Sequence, residues 1–103
     1  MAKPSVRFEL DGGYWVAERD SVGFVGITDL GVVEFLITSE ALTEMLDPEL
    51  AGIDPELAME TFTEFEADIH RIAQLEFVKR LGGEPPILIT SADVAMPDPG
   101  SVH

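Results

Sequence analysis

Apolar and polar residues alternate over 5–10, SVRFEL, which sets Val6, Phe8 and Leu10 on one side of the backbone and Arg7 and Glu9 on the other. A period of two marks a strand with one buried face. DGG at 11–13 carries turn chemistry. YWVAE at 14–18 is rich in residues that suit a pleated surface and predicts a second strand. The clearest local signal follows: SVGFVGIT and VVEFLITS flank DLG, with Asp29 and Gly31 supplying a hairpin turn. On its second strand Val33, Phe35 and Ile37 share one face, while Glu34 and Thr38 share the other with Val32 and Leu36. Antiparallel strands with one wet face fit that pattern.

After residue 38 the period changes from two to that of a helix. Ser39 reads as an N-cap for the short helix EALTEML, with Glu40 favouring its positive end. Asp-Pro-Glu-Leu then occurs twice, at 47–50 and 54–57. Asp47 and Asp54 suit N-caps, and Pro48 and Pro55 suit the first helical position, where no N–H is needed. From Pro55 to Leu81 the pattern predicts one long helix, stopped by Gly82-Gly83 and the prolines beyond. PILITS at 86–91 predicts a buried strand, and 95–103 a flexible tail behind a single domain of residues 1–94.

Spacing residues by 100° puts Ala58, Phe62, Phe65, Ile69, Ile72 and Ala73 on one core-facing stripe. Beyond Ala73 the stripe fails, because Glu76 and Arg80 fall on it while Phe77, Val78 and Leu81 fall nearly opposite. A straight helix of this length would run about 40 Å, longer than a domain of this size is wide. The last turns therefore either bend, or present Phe77, Val78 and Leu81 as a second apolar patch suited to a homodimer contact.

Charge narrows the partners. Twenty Asp and Glu face six Lys and Arg, a net charge of −14 in 103 residues. Direct binding to nucleic acid or to an anionic membrane meets repulsion of like sign. An acidic surface keeps a small protein soluble, attracts a basic protein partner, or imitates nucleic acid. The absence of cysteine removes disulfides, Cys-ligated zinc, iron–sulfur clusters and thiol catalysis, and agrees with a cytoplasmic setting. The opening MAKPSVRFEL has no apolar run after its lysine, so neither a signal peptide nor a membrane span is expected.

Little else reads as chemistry. His103 ends the tail, and His70 follows Glu66 by one turn on a helix face turned away from the core stripe. That spacing differs from the Glu-x-x-His of helical di-metal sites and has no second copy, so both read as solvated helix residues. Calcium loops require more alternating oxygen ligands than the Asp-Pro-Glu-Leu repeat holds. No phosphate-binding loop, dinucleotide fingerprint or nucleophile elbow occurs. Trp15 suits a core or edge anchor, because adjacent strand residues such as Tyr14 and Trp15 point to opposite faces. No catalytic, metal or cofactor residue is assigned.

Four segments together resemble a family of small proteobacterial proteins, domain of unknown function fourteen-eighty-eight. They are YW…DSVGF, EFLITSEAL, the helix with Phe62, Ile69 and Ala73, and the closing LITSADV; together they cover most of 14–94. Two positions depart from it: Phe35 stands where members often carry Cys, and Glu66 where they often carry Arg. The resemblance implies a small α+β fold with a sheet packed against two helices, and no activity. The expectation is thus an α+β domain, a small antiparallel sheet against one short and one long helix. It acts as a non-catalytic interaction or accessory domain that self-associates. A nucleic-acid mimic inhibiting a DNA- or RNA-binding protein, and an enzyme of unrecognised type, are the alternatives.

Overall fold

The hairpin predicted by the alternation forms the centre of the sheet. In the computed structural model, which describes residues 6–8, 12–29, 31–47, 49–79 and 86–94, β3 (Ser21–Thr28) and β4 (Gly31–Thr38) pair antiparallel in unbroken register, from Ser21 opposite Thr38 to Thr28 opposite Gly31. That register puts Val22, Phe24 and Gly26 on the same face as Ile37, Phe35 and Val33. β1 (Arg7–Phe8) and β2 (Tyr14–Val16) both pair antiparallel with β3, β2 with its first half and β1 with its second. Phe8 lies opposite Gly26, and a Cβ there would collide with Val6 and press on Phe35 and Phe8 at 3.0 Å. The missing side chain is what lets β1 close over the hairpin.

On the far edge, β5 (Ile87–Ile89) pairs with β4 in parallel, Phe35 opposite Ile87 and Ile37 opposite Ile89. The sheet is therefore mixed rather than purely antiparallel. A parallel partner needs a long crossover, and the helices between β4 and β5 supply it: α1 (Ser39–Leu46), α2 (Pro55–Glu64) and α3 (Glu66–Lys79). They cover one face of the sheet. Ala41 and Leu42 of α1, Ala58 and Phe62 of α2, and Ile69, Ala73 and Phe77 of α3 join Val22, Phe24, Phe35, Ile37, Ile87 and Ile89 in one buried cluster. The architecture is α+β. The expected tail, 95–103, lies outside the described residues, as do Gly82 and Gly83.

The single long helix is two. It breaks at Phe65, whose φ of −105° and ψ of 21° leave the helical range. Upstream of the break, the Thr61 and Thr63 hydroxyls donate back to the carbonyls of Leu57 and Met59 at 2.7 and 3.1 Å, a pairing that bends helices. The buried positions shift accordingly. In α2 they are Ala58, Thr61 and Phe62; in α3 they are Glu66, Ile69, Ala73, Glu76 and Phe77. On a 100° wheel the core-facing direction turns by roughly 60° between the two helices. Phe77 is thus a core residue at 9% exposure, not part of an outward patch. Glu76 is buried and pairs with Lys79 Nζ at 3.2 Å.

The caps also differ in part from expectation. Thr38, not Ser39, caps α1: it is extended, and its Oγ1 accepts from Ala41 N at 3.0 Å. Ser39 is already the first helical residue, with its N–H donated to Asp20 O and its hydroxyl to Asp20 Oδ2. Asp47 starts no helix. It ends α1, and its Oδ1 accepts from Glu49 N at 3.0 Å in a local turn. Asp54 caps α2, with Oδ1 accepting from Leu57 N at 2.8 Å and Pro55 in the first turn. A further short helix, α4 (Ser91–Val94), begins at the end of the strand predicted over 86–91. Asp93 accepts from Thr90 N and Thr90 Oγ1 while its own N–H goes to Thr90 O. The signal for it was the T-x-x-D spacing of a capping box. Asp54→Ala should lower unfolding free energy by about 1 kcal/mol, and Asp47→Ala by only a few tenths, because only the first strips a helix N-terminus. Urea unfolding of the two variants checks this; equal losses would contradict the distinction.

Candidate functional site

His70 does not face solvent. The turn of register at Phe65 brings it, half-buried, into a nest of phenylalanines. Its ring stacks on Phe8 at 4.3 Å and 11°, with Phe24 at 5.9 Å and Phe62 edge-on at 6.5 Å. Glu66, one turn earlier, is 6% exposed and sets Oε2 at 3.7 Å from His70 Nε2. Nε2 itself is shielded from solvent and takes part in no described hydrogen bond. Burial pushes the imidazole below its ordinary pKa of 6.5, and the Glu66 carboxylate pulls it back up. The pair is polar chemistry set in the core. Among the described residues no group of three His, Cys, Asp or Glu is placed to hold a metal ion.

The second concentration of polar groups is a hollow of about 340 Å³ between the start of α1 and the loop before α2. Asp20, Glu40 and Glu44 line one side, and Leu50 to Ile53 the other. Asp20 adopts a left-handed backbone, φ 49° and ψ 49°, which ends a single 3₁₀ turn over Ala17–Arg19. In that position its carboxylate receives the Ser39 hydroxyl at 2.7 Å. Glu40 accepts from Ser91 Oγ at 3.3 Å, which ties α4 to the same rim. The described lining residues include three carboxylates and no cation.

Of the three residues expected to form a dimer patch, the two that are described lie in different environments. Phe77 lies in the core, Val78 is exposed, and Leu81 lies outside the described residues. Trp15 is partly buried and packs against the core cluster. Tyr14 points to the opposite face of the sheet, where its hydroxyl donates to Glu34 Oε2 at 2.8 Å. Burial and the neighbouring carboxylate together push its pKa up to about 12. No helix among the described residues is long and apolar enough to cross a membrane.

No family model matches the chain, and no curated protein does. A solved structure does. The fold is similar to that of a protein from the DUF1488 family of Shewanella loihica PV-4. The TM-score is 0.65 at 17% identity, over 87% of this chain and 94% of that one. The likeness establishes the fold, and the family is the one that the four sequence segments resemble. That protein is itself of unknown function, and no arrangement among the described residues here indicates catalysis.

The His70 geometry fixes a sign. Because the folded pKa is depressed, the unfolded chain takes up a proton first as pH falls through its ordinary value. Stability contributed by neutral His70 is therefore present above that pH and is lost on acidification. Relative to His70→Phe, the wild type should lose stability between pH 7 and pH 5, at no more than about 1.4 kcal/mol per pH unit, the ceiling for one proton. Urea unfolding of both proteins across that range measures it; parallel curves would remove His70 as the cause.

Proposed function

We propose that this is a non-catalytic interaction domain whose acidic surface contacts a basic protein partner. The observation that carries the reading is the hollow beside α1, concave and lined by Asp20, Glu40 and Glu44, with no compensating cation among its described lining residues. A lysine or arginine side chain of a partner supplies the charge that this lining lacks, and its aliphatic stem suits the apolar side formed by Leu50 and Ile53. The surplus of fourteen negative charges raises the encounter rate with any cationic surface. A reducing, cytoplasmic setting suits a chain without cysteine.

The test uses a labelled lysine- and arginine-rich peptide, with a glutamate-rich peptide as control, and fluorescence anisotropy as readout. The basic peptide should bind, and its affinity should fall as salt rises, because the Debye length shrinks from about 30 Å at 0.01 M to about 8 Å at 0.15 M. Glu40→Gln with Glu44→Gln should weaken it by about tenfold at low salt, a modest loss for two partly exposed charges. Salt-independent binding, or equal binding by the double variant, would remove the hollow as the contact.

A further inference from the structure

The helices cover one face of the sheet, and the opposite face carries a different pattern. The register places Val25, Ile27 and Val32 side by side there: Ile27 is opposite Val32, and Val25 is opposite Glu34. Their exposures are 38, 37 and 69%. Tyr14 extends the patch, with its ring laid across Gly23, where a Cβ would stand 2.5 Å from Cε2. Contiguous apolar surface of this kind is what association sites use.

The charges on this face decide what covers it. Among the described register positions they are Arg7, beside Ile27, and Glu34, beside Val25. One is positive and one negative, so these described positions carry no net charge in a chain of net charge −14. Two copies repel wherever acidic surfaces meet, and this is a face on which they can approach. Arg7 and Glu34 also stand diagonally opposed about the midpoint of Val25 and Ile27, since β1 and β4 flank β3. A two-fold axis lying in the contact plane at that midpoint lays Arg7 of one copy over Glu34 of the other, twice. It also packs the valines and isoleucines between them, as an isologous interface requires. The Tyr14 hydroxyl holds the Glu34 side chain in place on this surface.

We infer that the outer sheet face, with Val25, Ile27 and Val32 at its centre and Arg7 and Glu34 as reciprocal ion pairs, is a homodimer interface. This goes beyond the basic-partner reading and has the opposite salt dependence. Screening relieves the repulsion between two chains of charge −14, which outweighs two exposed ion pairs, so added salt tightens the dimer.

Sedimentation equilibrium of the full chain over a wide concentration range tests it, with circular dichroism confirming that each variant is folded. The wild type should dimerise, more tightly at high salt. Val32→Glu, at a 69% exposed position, should raise Kd more than about tenfold. Arg7→Glu should raise it several-fold, and Arg7→Glu combined with Glu34→Arg should return it to within about threefold of wild type. Leu75→Glu, on the exposed side of α3 at 57% exposure, should leave it unchanged. A wild type that remains monomeric overturns the inference. So does a dimer broken by Leu75→Glu but not by Val32→Glu, a charge swap that fails to restore association, or a chain that dimerises only after removal of 95–103, which would make that segment the occupant.

Discussion

Phe24 and Phe35 face each other across the central hairpin with ring centroids 5.3 Å apart and planes 12° from parallel, both almost fully buried. The other elements dock on this pair. β1 delivers Phe8 to within 5.8 and 5.4 Å of the two rings, α2 delivers Phe62 to within 5.3 Å of Phe24, and α3 delivers His70 to within 5.9 Å of Phe24. β5 sets Ile87 beside Phe35. Each aromatic contact adds about 0.5–1.5 kcal/mol beyond the area it buries. Their shared dependence on two rings matters more than the individual values, since moving Phe24 disturbs β1, α2 and α3 together and moving Phe35 disturbs β1 and β5.

The break at Phe65 follows from that arrangement. A straight 55–81 helix would keep one stripe on the sheet and carry its far end past the domain edge. Interrupting it lets α2 seat Ala58 and Phe62 against the hairpin, and lets α3 seat Ile69, Ala73 and Phe77 along a second line. The turn of register has a polar cost: Glu66, His70 and Glu76 are drawn to the buried side. The pairing of Glu76 with Lys79 and the closeness of Glu66 to His70 partly offset the desolvation of these groups. His70 resolves the conflict differently from a carboxylate, by staying neutral and offering its ring to Phe8.

What could be read from the sequence was local. The alternation over 21–38 identifies both strands and their shared face, because neighbouring residues on a pleat report burial directly. Asp54-Pro55 identifies the start of α2, because a cap needs only residues within one turn. Thr38 and Ser39 are each competent caps, and the choice rests on Asp20, which receives both the Ser39 N–H and its hydroxyl from outside the helix. The parallel pairing of β5 joins residues about fifty positions apart, and no short-range pattern encodes its direction. The aromatic setting of His70 was hidden for a related reason. Its placement depends on a helix break whose visible trace, two threonines in a good helical pattern, is weak. The acidic lining of the hollow likewise joins Asp20, in the turn before β3, to Glu40 and Glu44 of α1, so the charge count announces it only in bulk.

On the two proposals, the faces of the molecule would divide association by their electrostatics. The hollow, whose described lining is acidic and holds no cation, would favour a partner of opposite sign and lose it as salt screens it. The outer face, whose described register positions carry Arg7 and Glu34, would favour a copy of itself and gain when salt screens the remaining surface. The face also cannot shed its exposed residues freely. Val25, Ile27 and Val32 alternate along the strands with Phe24, Gly26 and the partly buried Val33, which face the core. β-branched side chains there stiffen the hairpin that holds Phe24 against Phe35. The same three residues thus support the aromatic pair from behind and, in the proposed dimer, also form the contact surface, so one set of β-branched side chains would serve both.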